Sequence, residues 1–116
     1  MDIYHAFFDL DHGQSDVGFA DDMADFMAYL IKHEKIEGWR LMRRKLGLGP
    51  EGMGEFHLMV EVKDLAQLDD AFSMASERSG DMEVKHAHVN QKVKGLKFAL
   101  YRDFPDPHRK RGEEKF

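Results

Sequence analysis

The chain has 116 residues, of which 42% are hydrophobic and 34% are charged, a composition typical of one small soluble domain. It contains no cysteine, which excludes disulfides, thiolate metal sites and a cysteine nucleophile. A formal net charge of −5 disfavours nucleic-acid binding, which usually needs a basic face. No apolar run is long enough to span a bilayer, and the first residues do not resemble a secretory signal. We therefore expect a cytoplasmic protein that binds neither nucleic acid nor membrane.

Residues 3–10 alternate as a β-strand requires, because successive side chains of a strand point to opposite faces. One set is apolar and is expected to pack under helices: Ala6, Phe8 and Leu10. The other set is mixed and should face wetter surroundings: His5, Phe7 and Asp9.

A polar loop over residues 11–18 precedes a predicted first helix from about Phe19 to Ile36. Gly38 is expected to end this helix, because glycine suits the backbone conformation common after the last turn. The apolar residues recur at the spacing of one helical face: Phe19, Met23, Phe26, Met27, Leu30 and Ile31.

Two further strands are predicted, over residues 39–46 and 55–62. The segment between them contains four glycines and a proline in eight residues, which is typical of a hairpin with a long loop. The third strand again separates two faces. Its apolar face carries Phe56, Leu58, Val60 and Val62, and its mixed face carries His57, Met59 and Glu61.

Asp64 and Gln67 resemble a capping box that opens a second helix, which is predicted to reach Ser79. Residues 81–94 fit both a strand and a helical stripe, and we favour a short helix or irregular segment. The last strand is expected over residues 95–104. Residues 1–107 would form the domain, and the charged tail over 108–116 should contribute little to folding. The inward residues of the second helix are expected to be Leu65, Leu68, Ala71, Phe72 and Ala75.

This element order predicts an α+β, ferredoxin-like β-α-β-β-α-β fold with an antiparallel sheet in the order 4-1-3-2. Strands one and three become central neighbours, and the right-handed crossover leads us to expect that this one pair is parallel. Both helices cover one face. The other face is too apolar for solvent and too polar for a dry core, so a second copy should cover it and form a dimeric α+β barrel.

Histidines supply the strongest candidate chemistry. His5 and His57 are predicted to lie side by side on the face opposite the helices, where neutral imidazoles can act as acid, base or hydrogen-bond partner. The alternative is that both are satisfied structurally at the dimer interface. His86 and His88 form an H-x-H pair, but two histidines are a weak metal signal, so we assign no metal site. Further candidate ligand contacts are Phe7, Met59, His86 and Tyr101.

The segments HAFFDL, FHLMVEV, HAHV and LKFALYRDFP resemble the stress-responsive dimeric α+β barrel family over roughly residues 3–105. A fainter resemblance connects the chain to plant polyketide cyclases of that fold. It implies that His88 would be a general base, with His5 and His57 matching other histidines of that pattern. The tyrosine that assists the base in such cyclases has no counterpart in the second helix, LAQLDDAFSMASERS.

Two functions follow as hypotheses. The first is a homodimer that binds or transforms a small carbonyl-containing or aromatic molecule by histidine acid–base chemistry, in a cavity between sheet and helices lined by His5, His57 and His88. The second is a non-catalytic, stress-related interaction module whose histidines only stabilise the dimer. No motif requires a cofactor, and a haem role ranks third because no axial ligand stands out.

Overall fold

The computed structural model describes residues 1–76, 85–86 and 89–105. Its elements are β1 (Asp2–Leu10), α1 (Asp16–Lys32), β2 (Gly38–Arg43), β3 (Phe56–Val62), α2 (Leu65–Ala75) and β4 (Val93–Arg102). The strands form one four-stranded sheet in the order β2-β3-β1-β4, which is the predicted order read from the opposite edge. The predicted α+β, ferredoxin-like fold is confirmed.

The pairing of the two central strands differs from the expectation. β1 and β3 are antiparallel, and the register places Phe7 opposite His57 and His5 opposite Met59. The predicted parallel pairing is wrong because β3 reaches its position by a hairpin from β2. A hairpin reverses the chain direction, so β3 runs antiparallel to β2 as well as to β1.

Both helices cover one face of the sheet, and the core lies between them and the strands. The predicted alternation is confirmed on both central strands, since Ala6 and Phe8 of β1 are buried and Leu10 is half-buried. All four residues of the predicted apolar face of β3 are buried as well: Phe56, Leu58, Val60 and Val62. Burying these side chains supplies the main driving force for packing the helices onto the sheet.

Three residues that were predicted to face the core are exposed instead. Ile31 is 43%, Leu65 57% and Phe72 46% exposed. Leu65 is the first residue of α2, and Ile31 lies beside the buried stripe of α1 rather than within it. Phe72 packs edge-on against Tyr4, with 5.2 Å between ring centroids, but its other side stays open.

The ends of α1 are set by local hydrogen bonds. Ser15 caps the first turn, because its Oγ accepts a bond of 3.0 Å from the amide of Gly18, so the helix begins three residues before the predicted Phe19. At the other end the amide of Lys35 donates to the carbonyl of Leu30 at 2.9 Å. Glu34 adopts φ +58°, and this left-handed residue closes the helix. The predicted terminator, Gly38, opens β2 instead.

The predicted capping box of α2 is present in a variant form. The side chain of Asp64 accepts a bond of 2.9 Å from the amide of Gln67, and Gln67 Oε1 accepts the return bond from the amide of Lys63 at 2.7 Å. The return donor is thus one residue earlier than in the usual box. Residues 77–79 of the predicted helix lie outside the described residues, as does the predicted tail over 108–116.

The ambiguous segment before β4 is described only in part. Lys85, His86, Val89 and Asn90 have helical backbone, which agrees with the favoured short helix at those positions. Lys92 then forms an ion pair with Asp22 of α1, which fastens the start of β4 to the helical layer. Within the described ranges, no helix combines the length and the apolarity needed to cross a membrane.

Candidate functional site

The outer face is the side of the sheet that faces away from the helices. Register and alternation define its members. They are Ile3, His5, Phe7 and Asp9 of β1, Arg40 and Met42 of β2, His57, Met59 and Glu61 of β3, and Lys94, Lys97, Ala99 and Tyr101 of β4. The face therefore mixes apolar side chains with titratable groups, as its sequence indicated.

His5 and His57 are joined directly at the centre of the outer face. His5 Nδ1 and His57 Nε2 lie 2.7 Å apart, and the ring centroids are separated by 5.0 Å. The antiparallel register makes them diagonal neighbours, because His5 lies directly opposite Met59 and His57 lies directly opposite Phe7. Diagonal side chains of a sheet remain within reach of one another, so the predicted proximity holds although the predicted strand direction does not.

Two aromatic rings flank the histidine pair. Phe7 stacks on His57 with centroids 4.2 Å apart and planes 20° from parallel. Tyr101 meets His5 edge-on at 5.0 Å. Burial lowers the pKa of both histidines from the ordinary value, and the neighbouring charge of His5 lowers the pKa of His57 further. Both rings are therefore mainly neutral at pH 7.

A separate cavity of about 240 Å³ lies between the sheet and the helices. The described residues of its wall are almost entirely apolar, and the polar ones among them are Tyr4, His86 and Asn90. His5 and His57 do not line it, because their side chains project from the opposite side of the sheet. The expectation that these two histidines line a cavity between sheet and helices is thus wrong in its placement.

The polar groups of the cavity have perturbed protonation. Burial lowers the pKa of His86, whose ring packs edge-on against Phe26 at 5.5 Å. Burial also raises the pKa of Tyr4 to about 12. Near neutral pH the tyrosine therefore stays a hydrogen-bond donor, while the imidazole of His86 is free to accept a proton.

The cavity opens beside the edge strand β4. Phe72 of α2 and Phe98 of β4 both belong to its wall, yet they are 46% and 60% exposed. Leu96, a third wall residue, is 39% exposed. An apolar opening of this kind gives a small molecule direct access from solvent to the interior.

The predicted site residues thus divide between two places. Five of them share the outer face, and only His86 reaches the cavity; His88 lies outside the described residues. The sequence did not identify Asn90 or Phe26 as site residues, although it placed Phe26 on the apolar face of the first helix. Two sequence signals point to the helix-facing side of the sheet, where the cavity lies. Phe26 falls on the apolar face of the first helix, and Tyr4 falls on the same face of the first strand as Ala6. Across the described residues, no three histidine, aspartate or glutamate side chains are grouped closely enough to hold a metal ion.

The fold and these two groups define a small ferredoxin-like α+β protein with an internal cavity and a mixed outer sheet face. A family model described as a family of unknown function, DUF6614, matches residues 1–116, and the chain belongs to that family. No curated protein gives a significant match to the sequence. The narrower expectation of a stress-responsive family is not confirmed by these comparisons.

Solved structures with low sequence identity share the fold. A mutant of SnoaB, a cofactor-independent oxygenase from Streptomyces nogalater, is 8% identical with a TM-score of 0.67, covering 93% of this chain and 97% of SnoaB. A protein from Arabidopsis thaliana is 6% identical with a TM-score of 0.70, covering 91% and 98%. A dimeric ferredoxin-like protein of unknown function from Jannaschia is 14% identical with a TM-score of 0.56, covering 89% and 100%.

Proposed function

We propose that this protein is a homodimer that binds a small, uncharged aromatic or carbonyl-containing molecule in the cavity between sheet and helices. The observation that carries the proposal is the cavity of about 240 Å³, whose described wall residues are apolar except for three polar members. Protein interiors are normally packed without voids of that size. Ligand sites, in contrast, are apolar concavities with a few polar groups that fix orientation.

The polar members of the wall suit a carbonyl group. The Tyr4 hydroxyl, with its raised pKa, is a donor to a carbonyl oxygen, and neutral His86 is an acceptor or a general base. Among the described wall residues none carries a full charge near pH 7, so an ionic ligand would lose its hydration without compensation.

Acid–base chemistry at this site is the catalytic form of the proposal. His86 would take a proton from carbon next to the carbonyl, and the Tyr4 hydroxyl would hydrogen-bond to the resulting enolate oxygen. The same fold supports chemistry without a cofactor in SnoaB, so protein side chains alone are a workable basis. His88, the base implied by the sequence resemblance, stays a second proposal for the same role.

The outer face is proposed as the surface that a second copy covers. It carries apolar Ile3, Phe7 and Met59 between charged groups of both signs, and a two-fold axis can bring cations of one copy against anions of the other. Structures of the same fold from Jannaschia and from Bacteroides fragilis are described as dimeric. The half-buried side chains of Ile3, Phe7 and Met59, together with exposed Tyr101, would be removed from water by such pairing.

Within that dimer His5 and His57 have two proposed roles. Their hydrogen bond of 2.7 Å pairs one nitrogen of each ring without a ligand, which favours an interface role. A gap between the two sheets would instead let them act as acid and base on a ligand, with Phe7, Met59 and Tyr101 as contacts. The neutral state of both rings serves either role.

Binding to the cavity is tested with prodan, a neutral aromatic ketone whose fluorescence reports apolar surroundings. Ala75 lines the cavity, so Ala75→Phe fills it and should weaken binding by about tenfold or more, equivalent to about 1.4 kcal/mol. Ala66 is exposed on the same helix and does not line the cavity. Ala66→Phe is the matched control and should bind like the native protein.

Equal binding by the native protein and Ala75→Phe, with both folded by circular dichroism, would contradict the cavity as the binding site. His86→Gln separates binding from chemistry. It should leave prodan affinity within about threefold, a change of less than about 0.7 kcal/mol, while abolishing any proton exchange that the native protein catalyses on a ketone.

Dimerisation is tested by light scattering, which should give about twice the chain mass of 13.5 kDa. Phe7→Glu places a charge at the centre of the outer face and should give a folded monomer. Ile31→Glu, at a position 43% exposed on α1, is the control and should remain dimeric. A native protein that is monomeric at all micromolar concentrations would overturn the outer face as an interface.

A further inference from the structure

We infer that the His5–His57 pair makes the association of two copies depend on pH, so that the dimer separates as the pair gains protons. The inference rests on the homodimer proposed above and adds its regulation. It is carried by a direct contact between two titratable rings at the centre of the face that the second copy would cover.

The geometry of the pair limits how many protons it can hold. With His5 Nδ1 and His57 Nε2 only 2.7 Å apart, one proton lies between them, donated by one ring and accepted by the other. A first added proton can be placed on an outward nitrogen, and the bond then becomes charge-assisted. A second added proton would put hydrogens on both facing nitrogens, which breaks the bond and sets two cations side by side.

The surroundings offer the added charge little compensation. In the described part of the chain no carboxylate hydrogen-bonds to either ring, and Asp9 is engaged with the amide of Glu55 at 2.9 Å. Glu61 lies directly opposite Ile3, which is two residues from His5 along β1. Among the described residues, the charged or titratable groups on the same face as the pair are Arg40 of β2, Glu61 of β3, Lys94, Lys97 and Tyr101 of β4, and Asp9 of β1.

Covering the face makes protonation harder. Burial already lowers the pKa of both rings in the single chain, and a second copy would exclude the remaining water. It would also bring a second histidine pair to the same interface, and a proton on one pair opposes proton uptake by the other. The pKa of each histidine is therefore lower in the dimer than in the free chain.

The sign of the effect follows from linkage. The free chain binds more protons than the dimer once the pH falls below the ordinary histidine pKa of about 6.5, so acid favours separation. Above about pH 7 both states are neutral at the pair and the affinity is constant. If each chain takes up one proton on separation, the dissociation constant of the dimer rises by up to about 100-fold per pH unit below that point.

The experiment measures the dissociation constant by sedimentation velocity between about pH 8 and pH 5.5, a range that spans the histidine titration. The dissociation constant of the native dimer should rise by at least about tenfold from the highest to the lowest pH of this range. The dissociation constant of the His5→Gln/His57→Gln variant should change by less than about threefold over the same range, because glutamine forms hydrogen bonds but does not titrate. His12→Gln, at an exposed histidine outside the sheet, is the control and should behave like the native protein.

Circular dichroism at each pH separates dissociation from unfolding. A histidine-ring NMR titration of the native protein gives a second readout that needs no variant. The pKa values of His5 and His57 should be higher in dilute, dissociated samples than in concentrated ones, and equal values would overturn the inference.

The outcomes also distinguish this inference from the proposed dimer. A native protein that is monomeric even at pH 8 removes both. A dimer at pH 8 whose affinity is unchanged at pH 5.5 keeps the dimer and overturns the inference, as does a double variant that retains the native pH dependence.

Discussion

The two faces of the sheet are built by alternate residues of the same strands, yet they have different chemistry. On β1 and β3 most helix-facing residues are aliphatic or aromatic and buried, among them Ala6, Phe8 and Leu58. The residues between them include His5, His57 and Glu61, and all are half-buried. Burial under two helices tolerates few polar atoms, whereas the outer face keeps titratable groups in contact with each other. Titratable chemistry is therefore concentrated on the face that the fold leaves open.

On the helix-facing side, the burial of apolar residues differs between the central strands and the edge strand β4. β1 and β3 are central and covered, but the edge strand β4 leaves Leu96, Phe98 and Leu100 exposed by 39%, 60% and 53%. The first two of these line the cavity mouth. The position of a strand in the sheet, and not its hydrophobic pattern alone, thus decides whether its apolar residues form core or an opening.

Truncation of two neighbouring phenylalanines on β1 tests the difference between the two faces most directly. Phe8 is 2% exposed in the core, and Phe8→Ala should lower the free energy of unfolding by about 3–5 kcal/mol through lost burial and a cavity. Phe7, on the outer face, is half-buried. Phe7→Ala should cost well under half as much in a single chain.

Urea denaturation at several protein concentrations makes this measurement. For Phe7→Ala most of the loss should depend on concentration, because the residue is proposed to contact a second copy. A loss of similar size for both variants, independent of concentration, would show that the two faces are equally packed within one chain.

The second prediction concerns the hydrogen bond on the outer face. His57→Ala leaves His5 Nδ1 without its partner, which costs about 1–3 kcal/mol for a buried group. Because both rings are only half-buried in the single chain, water can replace the lost partner there, so we expect a loss of about 1 kcal/mol at protein concentrations where the copies are dissociated. His57→Gln offers a replacement hydrogen-bonding group and should recover part of that loss. A loss above about 3 kcal/mol would mean that the pair is a structural core element and not part of an open site.

The alternation of β1 and β3 could be predicted because period-two patterns map directly onto the two faces of a strand. The closeness of His5 and His57 followed from that parity and from the strand order. The direction of β3 could not be read from parity, since parity is the same for parallel and antiparallel pairing. It required the observation that β3 follows β2 through a hairpin.

The cavity and the helix ends were harder to predict. α1 ends at a left-handed glutamate, Glu34 with φ +58°, whereas the sequence offers the more usual glycine only four residues later at Gly38. The cavity depends on how far the helices stand from the sheet beside Tyr4 and Phe98, and that separation is a property of the packed layers. No local pattern in the sequence encodes it.

The smallest expected change in the free energy of unfolding is at Glu34, which lies after α1 and belongs to neither face of the sheet. Glu34 has the left-handed backbone that glycine adopts without steric cost. Glu34→Gly should raise the free energy of unfolding by about 0.5 kcal/mol, because relief of strain slightly exceeds the extra entropy of the unfolded chain. The bond from the Gln67 side chain to the Glu34 carbonyl, 3.1 Å long, uses the backbone and survives the change. Lys35→Gly is the matched control at a neighbouring position without positive φ, and it should destabilise the protein by about 0.5–1 kcal/mol. Thermal unfolding of both variants should therefore shift in opposite directions, and equal destabilisation would show that the left-handed conformation of Glu34 carries no strain for glycine to relieve.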